Sequence, residues 1–494
     1  MTNNPLNLDE AVEWAGLWWL PDDPDERIPG TLRYDGEGSL SLALIGAFED
    51  RIMSNYAPGA IASHEGTRTW DVIHGVAEQH EITLLDCVPT SGKRVMSSRV
   101  KSPDTQTVMA TIAIIGAHVS GEDDAAFAAA EVSVEDLGFW AASSAFMGSF
   151  GASDGKIDGT GTISVKPVEA QTVTVDGTEY RLAHTHTLPS FDHCKGRTVG
   201  RMCDTASVRV CRAEPFTLSA ALEATRLIQD LISLAIHRAA GVIWLRLEVA
   251  ETKSVPPEEH PLSRRRADVL YSPIGLGKHD AKVVEPRRVF FTCRELPFEK
   301  VVPRWCETHG RLRAATNMIL GLRYAPAHFI ENNLLTAVGA AEVLHRSLHI
   351  DENPFPVEVF AKMREAMLGQ VPEEYRDRFK AAIRNDPTLR DRLRALAVRP
   401  DTEAIAQLVP DIDHWAKRTT RARNDLAHGG KTPAHSIDEL IAIVESTTAV
   451  VILNILHELG LPAERQRQIV REHPQFRKVS QEVREWLVAP ELKF

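Results

Sequence analysis

The spacing of apolar residues changes near residue 297, and this change constrains the fold more than any other feature of the sequence. Before it, apolar and polar residues alternate in short runs such as "GSLSLALIGAF" (38–48), the period of β-strands. After it, apolar residues recur every three to four positions, the period of helices. The sequence therefore predicts an α+β protein of two domains: a β-rich domain at 1–296 and an all-α helical bundle at 297–494.

The β-rich part contains several strand patterns and one embedded helix. A helix is predicted at 217–238, where apolar residues recur at helical spacing and Thr217 or Ser219 could cap the first turn. Prolines and charges at 255–266 predict a loop. Strands are predicted at 30–35, 38–48, 107–119, 172–188 and 241–249.

The C-terminal part is predicted to be helical throughout. Its clearest helix starts at Ser436, which forms a capping-box pattern with Glu439, and stops at Gly460 and Pro462. The predicted helices lie at 297–322, 328–348, 355–368, 373–385, 388–397, 402–408, 411–428, 436–459 and 464–472.

The charge of the chain is uneven. The net charge of −12 argues against a general nucleic-acid coat, and it is made up of −13 in residues 1–300 and +1 in residues 301–494. Basic clusters such as 376–400 are typical of solvated helix faces, with phosphate contact as the alternative. Six cysteines without a tight framework favour a reducing compartment.

Neither a signal peptide nor a membrane span is predicted. The opening "MTNNPLNLDEAVEW" lacks the basic and then apolar pattern of a signal peptide. No uninterrupted apolar run reaches the roughly 18 residues that a membrane span requires. We therefore expect a cytoplasmic protein with no membrane partner.

The segment "RARNDLAHGG" (421–430) places Arg423 and His428 near a helix end, with four residues between them. Among the four arginine–histidine pairs of this spacing in the chain, only Arg423 is followed by an asparagine, Asn424. The spacing alone identifies nothing, since it occurs three more times, at Arg181–His186, Arg304–His309 and Arg323–His328.

Four segments of the chain resemble known families. "RNDLAH" resembles the R-N-x3-H form of the motif in HEPN domains, which are helical bundles of RNA-cleaving defence and toxin proteins. "GLWWLPDDPDERIPGTLRYDGEGSLSLALIG" (16–46) resembles the start of the N-terminal domain of ApeA-type anti-phage proteins. "FEKVVPRWCETHGRLRAATNMILGL" (298–322) and "AAEVLHRSLH" (340–349) are similar to the entry helices of the ApeA-like HEPN domain.

The resemblance implies a reaction. HEPN ribonucleases cut RNA without a metal or other cofactor, because the 2′-hydroxyl of the RNA attacks the adjacent phosphorus. His428 would move a proton near neutral pH, and Arg423 would bind the phosphate oxygens as a permanently charged fork. Asn424 would hold the imidazole or a phosphate oxygen.

The motif raises a geometric difficulty. Five positions along a regular helix turn a side chain by about 140°, so Arg423 and His428 do not share a face. Either the helix breaks between them, or two copies of it face each other across a two-fold axis. HEPN proteins commonly use the second arrangement, so the resemblance implies a homodimer with a composite site. If the helix ends at Gly429, His428 lies at the negative end of its dipole.

Other side chains are candidates for supporting roles. Glu342 stands among small residues and needs a partner; it either orients Arg423 or forms a surface ion pair. Asp425 is a second possible partner of Arg423. In the structural alternative, Arg423 pairs with one of these carboxylates and His428 caps a helix. Candidate RNA-binding cations are Lys417, Arg418 and Arg421.

A cluster of potential zinc ligands lies in "HTHTLPSFDHC". His184 and His186 would share one face of a strand, so a metal pair is possible, with His193 and Cys194 nearby. Because the spacing matches no zinc finger or ribbon, polar strand residues in an irregular region are favoured. A zinc hydrolase stays open as a rival function.

Together, these features predict a bacterial effector of abortive infection. The HEPN bundle would cut RNA, with tRNA as the candidate substrate, while the N-terminal domain senses a phage-derived trigger or positions the RNA. The alternative is a catalytically silent HEPN module that binds RNA or a protein partner as a scaffold.

Overall fold

The computed structural model of the 494-residue chain describes residues 4–48, 52–57, 60–64, 69–93, 103–250, 265–350 and 353–488. The chain divides into two compact units. The first unit comprises residues 1–284 and 292–303, and the second comprises residues 285–291 and 304–494. Most of the loop predicted at 255–266 lies outside the described residues.

The first unit is built mainly of strands. Among its described residues, two helices lie between the strands, α1 (Leu137–Ala141) and α2 (Leu218–Ile236). The described strands are β1 (Val12–Trp19), β2 (Ile28–Tyr34), β3 (Leu40–Ile45), β4 (Ile52–Ala57), β5 (Ala60–His64), β6 (Trp70–Ala77), β7 (His80–Lys93), β8 (Thr105–Ala110), β9 (Ile112–Ile115), β10 (Phe127–Val134), β11 (Phe146–Ser153), β12 (Lys156–Val165), β13 (Gln171–Val175), β14 (Thr178–His186), β15 (Ser190–Cys194), β16 (Arg197–Arg201), β17 (Asp204–Phe216), β18 (Val242–Val249) and β19 (Arg266–Tyr271).

Six of these strands close into an antiparallel barrel. The order is β6-β1-β2-β3-β8-β7, and the long strand β7 closes it because its first half pairs with β6 and its second half with β8. Trp18 on β1 is fully buried, and its Nε1–H donates to the carbonyl of Gly30 at 3.1 Å. Gly75 lies opposite Trp18, and a Cβ there would come within 2.2 Å of the indole ring, so the site requires glycine.

The sheet continues beyond the barrel in the order β7-β9-β19-β18-β10-β17-β14-β13. Helix α2 packs against this extension, on β10, β17 and β18. Thr217 caps α2 by accepting a hydrogen bond from the backbone N–H of Ala220 at 3.2 Å, so one of the two predicted caps is confirmed. Separate two-stranded hairpins are formed by β4–β5, β11–β12 and β15–β16.

The second unit is helical, which confirms the predicted fold class of a β-rich part followed by a helical part. Helix α3 begins in the first unit and continues into the second. The helices are α3 (Phe298–Tyr324), α4 (Ile330–Ser347), α5 (Val357–Gly369), α6 (Glu373–Ala382), α7 (Leu389–Val398), α8 (Thr402–Leu408), α9 (Ile412–Gly429), α10 (Ile437–Glu458), α11 (Ala463–Glu472) and α12 (Pro474–Trp486).

Helix α10 forms the centre of this bundle and packs against α4, α7, α9 and α12. Among the described residues it is the one helix long and apolar enough to cross a membrane by length and composition. Of its most apolar window, 83% is buried inside the protein, as expected for the central helix of a core.

Candidate active site

Helix α9 carries the R-x4-H motif, and its buried face explains its position. Trp415, Ala416, Thr419 and Ala422 are buried at helical spacing, which makes the helix amphipathic. Trp415 anchors it to α10, because its Nε1–H donates to Ser446 Oγ at 3.0 Å.

The ends of α9 have well-defined caps. The Asp411 side chain accepts from the backbone N–H of His414 at 2.9 Å, which satisfies a donor in the first turn. Gly430 follows the last turn with φ of 64°, the left-handed conformation that favours glycine at a helix end.

The helix is continuous through the motif, so the break considered as one solution is absent. Arg423 and His428 therefore project about 140° apart around a regular helix. His428 lies in the last turn of α9, as predicted from the glycines that follow it. Within one chain the guanidinium and the imidazole do not point to the same side of the helix.

Arg423 contacts partners on two sides. Its Nη2 lies 3.5 Å from Oε1 of Glu342 on α4, and its Nη1–H donates to Oδ1 of Asn424 at 3.2 Å. The side chains of Arg423 and Glu342 are 32% and 20% exposed, so the pair is neither buried nor free in solvent. The carbonyl of Asn424 thus holds the guanidinium, and its amide N–H groups remain as donors on the exposed side of the helix.

An exposed stripe runs along α9, formed by Lys417, Arg421, Asn424 and His428. At 100° per residue these positions fall within an arc of about 60°. The stripe presents two cations, an amide and an imidazole to solvent. These are the side chains that contact phosphates and ribose in RNA complexes.

Two of the other predicted side chains have partners within the chain. Asp425 lies 3.7 Å from Nε of Arg421, an i,i+4 pair on the same helix. Arg418 points away from the stripe: it forms an ion pair with Glu439 and donates to the carbonyl of Ala434 at 2.8 Å. Burial and the charge of Arg418 lower the pKa of the neighbouring His435.

Glu439 shows where sequence reasoning was incomplete. The sequence predicts that it completes a capping box with Ser436. Ser436 does cap α10, accepting from the backbone N–H of Glu439 at 3.1 Å, but the carboxylate of Glu439 binds Arg418. The signal that could have suggested this link between α9 and α10 is an arginine five residues before Arg423, followed by an acidic residue after a short loop.

The four candidate metal ligands of the first unit are not arranged around one metal site. His184 lies on β14 and is hydrogen-bonded to Ser143 and Asp204. His193 lies on the β15–β16 hairpin, with Nδ1 3.2 Å from Thr198 Oγ1. The irregular region predicted here is in fact regular strand. Across the described ranges, no group of three or more histidine, cysteine, aspartate or glutamate side chains is arranged to hold a metal ion.

The other two members of this cluster lie on β14 and β15. His186 is paired with Asp204 in the strand register, and Cys194 is an exposed thiol at the end of β15.

A helical bundle with an R-N-x3-H motif on an exposed helix, preceded by a β-barrel domain, defines a HEPN-domain protein with a β-rich partner domain. Comparison with protein families identifies both parts: the model of ApeA N-terminal domain 1 matches residues 13–305, and that of Apea-like HEPN matches residues 335–465. The first match covers more than half of the chain, which therefore belongs to the ApeA family. No match was found among curated proteins or among solved structures. The pairing of these domains indicates a HEPN nuclease-type defence protein.

Proposed function

We propose that the protein is an endoribonuclease of anti-phage abortive infection, which cuts RNA without a metal at a site shared by two chains. The observation that carries this proposal is the geometry of α9. Arg423 is held by Glu342 and Asn424 on one side of an unbroken helix, while His428 ends an exposed basic stripe on another. Transfer RNA is the candidate substrate.

The reaction needs a proton carrier and a cation at one phosphate. The 2′-oxygen forms a bond to phosphorus, the bond from phosphorus to the 5′-oxygen breaks, and a 2′,3′-cyclic phosphate and a 5′-hydroxyl result. His428 takes the proton from the 2′-hydroxyl or donates one to the leaving 5′-oxygen. Arg423 binds the phosphoryl oxygens, whose negative charge increases in the transition state.

The dimer follows from the angle between the two side chains. In a two-fold pair of α9 helices, the Arg423 side of one chain faces the His428 side of the other, so each phosphate meets both groups. Lys417 and Arg421 would then flank the cleft and contact the RNA backbone. In the cytoplasm, the N-terminal part would sense a phage-derived trigger or position the RNA.

The test is cleavage by purified protein. Total RNA and purified tRNA are incubated with the wild type and with Arg423→Ala and His428→Ala, each with and without EDTA. We expect metal-independent products carrying 5′-hydroxyl ends, which polynucleotide kinase labels without prior phosphatase treatment. Both variants should lose at least about 100-fold in rate, the usual contribution of an acid–base group or a charge-stabilising donor.

Matched controls separate chemistry from fold. His457→Ala removes another exposed histidine from the last turn of the neighbouring helix α10, and Arg471→Ala removes an arginine in a surface ion pair on α11. Both should cut like the wild type. Cleavage unchanged in Arg423→Ala and His428→Ala would contradict the proposal. Tight RNA retention by a wild type that cuts nothing would favour the silent scaffold instead.

A further inference from the structure

A serine, a histidine and an aspartate lie in a hydrogen-bonded series in the first unit. The hydroxyl of Ser143 is 3.0 Å from Nε2 of His184, and Nδ1 of His184 is 3.0 Å from Oδ1 of Asp204. The histidine side chain is 3% exposed and the aspartate 11%, whereas Ser143 is half-buried. Of these three side chains, Ser143 is therefore the one that a reagent in solution can reach.

The carboxylate sets the roles of the two imidazole nitrogens. An ionised carboxylate only accepts hydrogen bonds, so Nδ1 of His184 carries the proton that it donates to Asp204. Nε2 is then unprotonated in the neutral ring, and the Ser143 hydroxyl donates to it. This arrangement is the one that lets an imidazole take the proton of a nucleophilic hydroxyl.

The backbone brings the three residues together from separate elements. His184 pairs with Ala206 in the β14–β17 register, so Asp204 is its diagonal neighbour on the same face. Ser143 follows Ala142, which ends α1 in the left-handed region with φ of 54°. Backbone conformations of this kind are concentrated at functional sites.

The loop that carries Ser143 is tied to the same carboxylate. Oδ2 of Asp204 accepts from Ser144 Oγ at 3.0 Å and from the backbone N–H of Ala145 at 2.8 Å. Asp204 therefore fixes both the imidazole and the serine loop.

We propose that Ser143 is the nucleophile of a second catalytic site, which hydrolyses carboxylic esters, with His184 as general base and Asp204 as the positioning residue. Ser143 Oγ forms a bond to the acyl carbon while its proton passes to His184 Nε2. The carbon–alkoxide bond breaks, and the alcohol leaves with that proton. Water then forms a bond to the acyl carbon while its proton passes to Nε2; the bond between the acyl carbon and Ser143 Oγ breaks, Oγ takes the proton from Nε2, and the carboxylic acid is released.

The first test is covalent labelling of the full-length protein. A fluorophosphonate reacts with an activated serine, forming an oxygen–phosphorus bond and releasing fluoride, and mass spectrometry locates the adduct. We expect one adduct per chain on Ser143, at least tenfold less in His184→Gln and none in Ser143→Ala. The matched controls are Ser149→Ala, an exposed serine on β11, and His193→Gln, an exposed histidine that also contacts a hydroxyl.

The second test separates positioning from support of the fold. With p-nitrophenyl acetate as substrate, Asp204→Asn should lower kcat at least tenfold and leave KM unchanged, with a melting temperature near that of the wild type. Labelling and esterase activity should persist in Arg423→Ala, since that residue belongs to the other unit. A folded wild type that takes up no probe at Ser143, or equal labelling in His184→Gln, would overturn the proposal.

Discussion

Arg423 is the residue in the candidate site with the most defined surroundings. Glu342 approaches one of its terminal nitrogens and Asn424 accepts from the other. A guanidinium held by two partners has less freedom to lose, which reduces the entropy lost when a phosphate binds. The sequence predicted Glu342 as a partner from its position among alanines, but left open whether the pair orients Arg423 or is only an ion pair on the surface.

Replacing Glu342 by glutamine distinguishes these two roles. If the carboxylate orients Arg423, Glu342→Gln should lower kcat for RNA cleavage about tenfold, equivalent to about 1.4 kcal/mol in the activation free energy. The pair is partly exposed, so the free energy of unfolding should change by less than about 1 kcal/mol. The control is Glu331→Gln in the first turn of the same helix. Equal cleavage rates in the two variants would show that Glu342 does not orient Arg423 and forms only a surface ion pair with it.

The two candidate sites differ in how far sequence predicts them. The first site has Arg423, Asn424 and His428 within six residues, so a contiguous sequence motif is enough to predict it. Ser143, His184 and Asp204 are separated by 41 and 20 positions, and only the pairing of β14 with β17 and the turn after α1 bring them together. The sequence singled out His184 as a possible metal ligand, without any signal for its actual partners.

At the scale of elements, two adjacent glycines end α9 in different conformations. Gly429 is the last helical residue, and Gly430 takes φ of 64°. No atom within 4 Å would obstruct a Cβ at either position, so the backbone conformation alone decides the effect of an added methyl group.

Alanine should therefore act in opposite directions at these neighbours. Gly429→Ala should stabilise the protein by about 0.5–1 kcal/mol, because alanine favours the helix. Gly430→Ala should destabilise it by about 1 kcal/mol, because an L-residue is strained in the left-handed region. Chemical unfolding of both variants measures the two effects. Shifts of the same sign would show that α9 does not end as described.

A buried histidine lies directly before helix α12. His473 precedes it, lies 3.1 Å from the carbonyl of Arg288 through Nε2, and packs its ring against Phe290 and Phe476. Burial lowers the pKa of His473 to about 4 from the usual 6.5. The folded state therefore holds the ring neutral at pH values where the unfolded chain is protonated.

This pKa predicts a loss of stability in mild acid. As the pH falls from about 6.5 towards 4, the unfolded chain binds a proton that the folded state does not, so the free energy of unfolding decreases. Between pH 7 and pH 5 the decrease should be about 2 kcal/mol greater in the wild type than in His473→Gln. Urea unfolding at both pH values measures the difference. Identical decreases in the two proteins would exclude this role for His473.

Helix bounds were predictable where local chemistry marks them. Thr217, Ser436 and Gly460 sit at caps or stops close to the predicted positions. Helix α12 was missed because a single residue separates it from α11, and Pro474 at its first position reads as a terminator although it also starts helices. Closure of the barrel depends on β7 pairing with β8, a contact that alternation along one strand does not encode.

At the scale of the whole molecule, the proposed activities belong to different units and use different chemistry. The second unit offers a guanidinium and an imidazole that diverge on one helix, and the site that we propose would join two chains. The first unit offers a serine, a histidine and an aspartate already in contact within one chain. Amino-acid composition distinguishes the two parts of the chain only by their charge and predicts neither site.

The central claim is that Arg423 of one chain works with His428 of another, and mixed dimers test it most directly. Arg423→Ala and His428→Ala chains, each with a different affinity tag, are produced together and purified through both tags in sequence. In such a dimer, one intact Arg423 and one intact His428 come from opposite chains. The account predicts that the mixed dimer recovers at least about a quarter of the wild-type cleavage rate, although each parent dimer is inactive. A mixed dimer as inactive as its parents, beside an active wild type, would contradict it.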